Sequence, residues 1–382
     1  MQTDFISIES SPPLQGTVPL SGAKNAVLVI MTSLILTRGK NRLSNVPTSE
    51  DVLHMIRLLQ SLGAEVVYNA QTKVLEVDTT HISSAEIGAD IMRRMRASIL
   101  AFGPLLARFG DARMALPGGC GLGERPIDYH MNSFRKMGVT FSQTGDVLSG
   151  KVKTLQAVDH ILAYPSVGAT ENIIMAAALT PGTTRIINAA IEPEVLDLID
   201  VLIKMGARIS LVPPASIIIE GVSSLAPIEH HVMADRLEAG TLLIAAAITG
   251  GEISLPDAPA SSMIVFLSLL EQMGHTITID PSGTGIRLKA TKSPVAVSFK
   301  TMPYPGFPTD LQAPMMAALC LASGTSVIHE TVFENRMMHI RELQKMGAQI
   351  SLSGQTATVT GVDSLYGAAV IASDIRAGGK QD

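Results

Sequence analysis

The sequence predicts an α/β protein of two domains built from a repeated unit, and three observations carry that expectation. At 382 residues the chain exceeds what one hydrophobic core usually organises. A Leu-Gly or Met-Gly step closes an amphipathic run five times, at Gly63, Gly138, Gly206, Gly274 and Gly347, with spacings of 75, 68, 68 and 73 residues. Short polar markers open Ala-rich helices at Lys24-Asn25-Ala26, Arg96-Ala97-Ser98, Thr170-Glu171-Asn172, Glu238-Ala239-Gly240 and Asp310-Leu311-Gln312. Those helices are apolar all round, which marks burial and not a surface position.

Each part of the unit follows from its own pattern. In the first copy Val52, Ile56, Leu59 and Leu62 fall on one helical face, and Gly63 fits the helix C-cap. A β-rich segment follows: residues 64–69 here, and 207–212, 275–280 and 348–353 in later copies. The all-apolar helices end near Gly39, Gly110, Gly182, Gly250 and Gly324. The unit is therefore a buried helix, a strand, an amphipathic helix and one or two more strands, βαβαββ-like when repeated. Marker spacings from Lys24 are 72, 74, 68, 72 and 66 residues, the last falling on Arg376-Ala377-Gly378. Five complete units and a truncated sixth are expected. Three units per domain place the first domain at 22–233 and the second at 1–21 plus 234–382, with the boundary near Glu229-His230-His231. The segment from Thr3 to Ser21 is strand-like and is assigned to the second domain.

Composition excludes several classes. A net charge of -5, no Trp and 4% aromatic residues argue against a nucleic-acid surface. Two cysteines form no disulfide framework, which suits a reducing cytoplasm. Asp4 and Glu9 break any signal-peptide pattern, and the apolar stretch from Ala26 to Leu36 is too short to span a bilayer.

The segment most suggestive of chemistry runs from Leu116 to Asp128, where four glycines surround Cys120 and Arg125 follows. It lengthens its own unit: Gly110 to Gly138 is 28 residues, against 24 for Gly39 to Gly63. An insertion at a strand-to-helix turn is a natural place for a functional loop, and the neighbouring Arg favours a thiolate or an anion. The alternative is an inert cysteine in a surface turn. Cys320, inside an apolar helix, reads as core. Lys24, Arg96 and Arg376 recur at helix starts, either as solvated flanking residues or, since free N–H groups and the helix dipole there suit phosphate or carboxylate, as a shared anionic site. Asp310, behind a run rich in Pro and Gly, is either a plain helix N-terminal carboxylate or a general base. His230 and His231 have no carboxylate or thiolate at ligand spacing, so no metal site is expected.

Several motifs together carry a family resemblance. They are residues 20–26 around Lys24 and Asn25, Met95-Arg96-Ala97-Ser98, Pro117-Gly118-Gly119-Cys120, Arg125-Pro126-Ile127-Asp128, residues 165–172, Phe307-Pro308-Thr309-Asp310 and residues 330–336. The chain resembles the UDP-N-acetylglucosamine 1-carboxyvinyltransferases, a family of enolpyruvyl transferases, from about residue 5 to 377. The related shikimate-pathway transferases lack the cysteine loop. The resemblance implies a two-domain inside-out α/β prism, helices within and sheets outside. It also implies enolpyruvyl transfer from phosphoenolpyruvate to the 3-hydroxyl of UDP-N-acetylglucosamine, releasing phosphate. That is the first committed step of peptidoglycan synthesis in the cytoplasm, hence of cell-wall biogenesis, cell shape and division. No metal or organic cofactor, no nucleic acid, no membrane and a monomeric state are expected.

By the same resemblance Cys120 is the acid that protonates the methylene carbon, and Asp310 is the base at the sugar hydroxyl. Lys24, Arg96 and Arg125 hold phosphate and carboxylate, with Arg376 a further anion contact. Arg125, Pro126, Ile127, Asp128 and Tyr129, with Ser166, Val167 and Gly168, bind the uridine diphosphate, and Asn25 and Val332 contact the sugar nucleotide. Family members continue past Arg376 through another helix, strand and helix, including an arginine that contacts phosphoenolpyruvate. A chain truncated there is expected to be less active, or to be a non-catalytic homologue that only binds UDP-N-acetylglucosamine.

Overall fold

Hydrophobic period decides local structure along the chain, and the computed structural model shows how the periods assemble. It describes residues 5–94, 96–115 and 127–371, with backbone only at 90, 93, 94 and 96. The chain divides into two compact units. The first comprises Ser21–Ala234 with Pro303–Pro305; the second comprises Met1–Leu20, Asp235–Met302 and Gly306–Gln381.

The chain opens with strand β1 (Gln15–Thr17), which belongs to the second unit. The first unit begins with α1 (Lys24–Ser33), β2 (Lys40–Ser44), α2 (Glu50–Ser61), β3 (Glu65–Asn69) and β4 (Val74–Asp78). Its second copy runs β5 (Glu86–Ile87), α3 (Ala89–Arg94), a 3₁₀ segment Arg96–Ala101, α4 (Phe102–Phe109), β6 (Asp111–Ala115), α5 (Asp128–Lys136), β7 (Thr140–Thr144) and β8 (Val147–Lys151). The third runs β9 (Asp159–Ile161), α6 (Val167–Ala177), β10 (Thr183–Ile187), α7 (Pro193–Lys204), β11 (Arg208–Val212) and β12 (Ser216–Glu220), and β13 (Glu229–His231) follows. The second unit continues with α8 (Arg236–Thr249), β14 (Glu252–Leu255), α9 (Ile264–Gln272), β15 (Thr276–Ile279) and β16 (Ile286–Lys289). It then has β17 (Phe299–Lys300), a 3₁₀ turn Thr309–Leu311, α10 (Gln312–Leu319), β18 (Thr325–His329), α11 (Ile340–Lys345), β19 (Gln349–Ser353) and β20 (Thr356–Thr360).

Among the described residues these strands form five four-stranded sheets of one design. The strand after the buried helix pairs antiparallel with the last strand of its copy, which forms a hairpin with the strand after the amphipathic helix. A short parallel strand occupies the other edge. The sequence patterns anticipate one or two strands after the amphipathic helix, and there are two. Apart from β1, which lies in the strand-like segment 3–21, they do not disclose the edge strands, which are two or three residues long and offer too little alternation to read. The edge strand of the first sheet is β13, paired with β2 from the far end of the unit, and β1 does the same for β14.

The cores explain the patterns. Every α1 residue from Ala26 to Ser33 is buried, and Thr32 and Ser33 satisfy their hydroxyls by donating to Val29 O and Ile30 O at 2.7 Å. Helix α6 is likewise buried from Ala169 to Ala177. Each large aliphatic side chain so buried contributes roughly 1.5–3 kcal/mol. The sheets supply the facing layer through alternate residues, such as Ile186 opposite Ile217, both fully buried. Helix α2 buries Val52, Met55, Leu58 and Leu59, while Ile56 is only half-buried. Ser49 Oγ caps α2 by accepting from Val52 N at 3.3 Å, and Gly63 ends it at a φ of 105°.

Arg108, in the last turn of α4, joins the first two copies. Its Nη1 donates to Ile35 O and Thr37 O at 2.8 Å, and its Nη2 to Thr79 O and Ile82 O at 3.1 and 3.3 Å. The planar guanidinium suits this fork of carbonyls; a lysine could not span it. Among the described residues no helix is long and apolar enough to cross a membrane.

Candidate active site

The first unit gathers candidates at the heads of its buried helices. Lys24 opens α1, anchored by Ala23 N donating to Met233 O at 2.8 Å. Its Nζ lies 2.8 Å from Asp51 Oδ2, in the first turn of α2. Asn25 is its exposed neighbour. Arg96 starts the 3₁₀ segment that packs on α1. A single lysine at a helix N-terminus faces the positive end of the dipole, so the Asp51 carboxylate offsets an unfavourable placement.

The sequence separates two further segments that the fold brings together. Asp128 and Tyr129 begin α5 behind the half-buried Ile127, and Ser166 caps α6, its Oγ accepting from Ala169 N at 3.4 Å. Helices α5 and α6 pack together, and the His130 ring lies against Gly168. Residues Ile127 to Tyr129 thus adjoin Ser166, Val167 and Gly168, where first-turn N–H groups lack intrahelical acceptors.

In the second unit Asp310 sits in the Thr309–Leu311 turn ahead of α10. The buried Phe307 fixes the approach, its ring centroid 4.1 Å from Phe299 and 6.0 Å from Phe266. Arg336 Nη2 donates to Asp310 Oδ1 at 3.1 Å, from a side chain only 1% exposed. Glu330, fully buried, ties this turn to Val332. Its Oε2 accepts from Thr309 Oγ1 at 3.0 Å, and its Oε1 accepts from Val332 N at 2.8 Å and Phe333 N at 3.1 Å. Cys120, Arg125, Pro126 and Arg376 lie outside the described residues.

The chain matches the profile described as EPSP synthase (3-phosphoshikimate 1-carboxyvinyltransferase) over residues 8–379. It is 45% identical over 378 residues to UDP-N-acetylglucosamine 1-carboxyvinyltransferase 1 of Caldanaerobacter subterraneus subsp. tengcongensis, covering 99% of this chain and 90% of that one. It is 44% identical over 374 residues to UDP-N-acetylglucosamine 1-carboxyvinyltransferase of Geobacter metallireducens, covering 98% and 89%. The chain belongs to the EPSP synthase family, in its UDP-N-acetylglucosamine 1-carboxyvinyltransferase branch. For the fold, the crystal structure of the enolpyruvyl transferase NikO from Streptomyces tendae superposes with a TM-score of 0.84 at 22% identity, covering 93% of this chain and 83% of that one. EPSP synthase from Acinetobacter baumannii gives 0.71 at 17% identity, covering 93% and 84%. These neighbours share the inside-out α/β fold.

Viewed as an enolpyruvyl transferase of this branch, the chain carries groups whose place sequence reasoning did not find. Asp51 reads in sequence as an ordinary acidic residue of a helix first turn, and only the fold brings it to Lys24. Arg336 and Glu330 stand inside the 330–336 motif, where residue type and spacing alone disclose no role for them. If Lys24 receives an anionic substrate, Asp51 competes for the ammonium and repels the anion. Replacing Asp51 with Asn should therefore lower the KM for phosphoenolpyruvate about two- to fivefold, an effect shrinking as salt is added. A raised KM would instead make Asp51 the group that aims Lys24.

Glu171, in α6, is buried near Glu194 and Glu192 at the start of α7. Burial first, then those two carboxylates, pushes its carboxyl well above the ordinary 4.5. The folded chain therefore holds a proton that the unfolded chain releases near pH 4.5, so this group's contribution falls as pH rises beyond that value. Replacing Glu171 with Gln should raise the unfolding temperature at pH 7–8, with the gain fading below about pH 4.5. Thermal unfolding across pH, with no difference between the two proteins, would refute this.

One expectation needs correction. His230 does have carboxylate neighbours: its Nε2 is 3.1 Å from Asp197 Oδ1, and Asp200 completes a group whose ligand atoms lie within 4.8 Å of one another. Both aspartates come from α7, 30 or more residues earlier, so spacing in sequence could not show them. Lys204 Nζ stands 2.6 Å from Asp200 Oδ2 and 3.1 Å from His230 Nδ1. The ammonium already supplies the positive charge there, so the cluster is an ion-pair network.

Proposed function

We propose that this chain transfers the enolpyruvyl group of phosphoenolpyruvate to the 3-hydroxyl of UDP-N-acetylglucosamine, releasing phosphate. The observation that carries the reading is the 44–45% identity to curated relatives of that name over 98–99% of the chain. The reaction adds an alcohol across a carbon–carbon double bond and then eliminates phosphate. Asp310 takes the hydroxyl proton as the sugar oxygen bonds to C2, while Cys120 delivers its proton to the methylene carbon. In the second half the C2–O bond to phosphate breaks with its electron pair on phosphate, and C3 returns a proton to the Cys120 sulfur, restoring the double bond. The hydroxyl proton leaves with phosphate.

Arg336 supports the assignment of Asp310, because a buried guanidinium at 3.1 Å fixes the carboxylate's orientation. Lys24, Arg96, Arg125 and Arg376 are the cations for phosphate and carboxylate. Arg125 to Tyr129 with Ser166 to Gly168 hold the uridine diphosphate, and Asn25 and Val332 meet the sugar. On this reading the two units act as catalytic domains near 22–233 and 1–21 plus 234–382. The enzyme serves peptidoglycan synthesis in the cytoplasm as a monomer without metal or cofactor, a location that suits two cysteines in 382 residues.

The test is phosphate release from phosphoenolpyruvate by the full chain with and without UDP-N-acetylglucosamine. Release should require the sugar nucleotide. Calorimetric binding of UDP-N-acetylglucosamine without release would make the chain a binding protein only, and neither binding nor release from folded protein would refute the reading.

A further inference from the structure

Asn172, fully buried in α6, has a carboxamide whose oxygen and both N–H groups meet partners. Gly103 N donates to its Oδ1 at 2.8 Å, and its Nδ2 lies 2.9 Å from Ile99 O and 3.0 Å from His130 Nδ1. The two backbone partners fix which way the amide points. A peptide N–H requires an acceptor and a peptide carbonyl requires a donor, so the reversed amide would set like against like on both sides. Gly103 makes this approach possible, since a Cβ there would stand 2.5 Å from both Asn172 O and Oδ1.

With one Nδ2 hydrogen on Ile99 O, the other points at His130 Nδ1. That nitrogen therefore accepts, carries no proton, and leaves the ring neutral with its hydrogen on Nε2. Its Cε1–Nε2 edge lies against the first turn of α6: a Cβ at Gly168 would meet His130 Cε1 at 3.3 Å and Nε2 at 3.4 Å. His130 is also the residue directly after Tyr129. One buried ring, 8% exposed, thus stands between the two segments assigned to the uridine diphosphate.

We propose that Asn172 and His130 form a positioning pair for the sugar nucleotide. Asn172 selects the Nε2–H tautomer, and the Nε2–H edge of His130 sets residues 127–129 in register with the first turn of α6. The proposal rests on the functional reading above for the identity of the ligand. It goes beyond that reading in naming two residues that act through their neighbours.

The experiment uses the full chain with ¹⁵N-labelled histidine, followed by NMR, and steady-state kinetics with both substrates. The ring signal lost in His130→Asn should show the Nε2–H tautomer in wild type. In Asn172→Asp a carboxylate faces Nδ1 and should shift that ring towards Nδ1 protonation. His130→Asn keeps an acceptor for Asn172 but removes the Nε2–H edge. It should raise the KM for UDP-N-acetylglucosamine about tenfold or more, leaving kcat and the KM for phosphoenolpyruvate within about threefold. His130→Gln, whose amide nitrogen reaches the place of Nε2, should recover most of the loss. A wild-type ring protonated on Nδ1, an unchanged KM in His130→Asn, or no rescue by Gln would each overturn the proposal. A wild-type chain that neither binds nor turns over UDP-N-acetylglucosamine would overturn the functional reading, and the nucleotide role with it, while the tautomer result would stand.

Discussion

Replacing Asp310 with asparagine should lower kcat by about 10²–10⁴-fold, the range a positioned general base supplies. Asparagine suits the test because its Oδ1 can still accept from Arg336 Nη2, which lies 3.1 Å from Asp310 Oδ1. The turn would keep its shape, Phe307 would keep its place against Phe299, and Glu330 would still hold Thr309 and Val332. The hydrogen bond is kept, while the negative charge and the ability to take up a proton are lost. The unfolding temperature and the affinity for UDP-N-acetylglucosamine should stay near wild type while turnover collapses. A variant retaining a tenth or more of the activity would show that the hydroxyl proton goes elsewhere. Alanine is the poorer choice, because it also removes the oxygen that accepts from Arg336 Nη2 at 3.1 Å, a donor whose side chain is 1% exposed.

Replacing Cys120 with alanine should reduce phosphate release at neutral pH by a comparable factor, about 10²–10⁴, since proton delivery to carbon has no substitute in the proposed reaction. The chain offers an internal control. It has two cysteines, and the second, Cys320, is fully buried with its thiol pushed up to about 11 by burial. Such a thiol stays protonated and inaccessible at neutral pH, so alkylation of the native chain reports on Cys120 alone. One equivalent of iodoacetamide should therefore abolish turnover, phosphoenolpyruvate should slow the modification, and the Cys120→Ala chain should take up no label. Turnover that survives stoichiometric alkylation would remove Cys120 from the mechanism.

The fold was legible wherever an element is long enough to carry a period. The amphipathic helices announce themselves because Val52, Leu59 and Leu62 recur at helical spacing before a glycine that ends the run. The all-apolar helices do so because α1 and α6 are buried on every side. Edge strands such as Glu86–Ile87 and Phe299–Lys300 escaped because they are too short to alternate, and β13 because its partner β2 lies at the far end of the unit. The site divides in the same way. Sequence can nominate a residue by its type and neighbours, as with Lys24 and Asp310. It cannot show the group that holds it when that group arrives through tertiary packing: Asp51 from α2, Arg336 from beyond β18, or Asn172 from α6 against His130. His230 gives the reverse case, where the same blindness hid two aspartates. The tautomer of His130 was beyond sequence altogether, since it follows from two backbone groups, Gly103 N and Ile99 O, that have no letter of their own.

The pairing of β13 with β2, and of β1 with β14, sets an order on synthesis. The ribosome makes β2 early, yet its parallel neighbour arrives only at Glu229–His231, so the first sheet keeps an open edge until the whole first unit has been translated. Strand β1 is made before the other described strands and has no strand partner until Glu252–Leu255 emerges. Contacts this distant in sequence slow folding and prolong the exposure of unpaired strands. A nascent chain halted before residue 229 should therefore be protease-sensitive and prone to pairing with its neighbours on the same message.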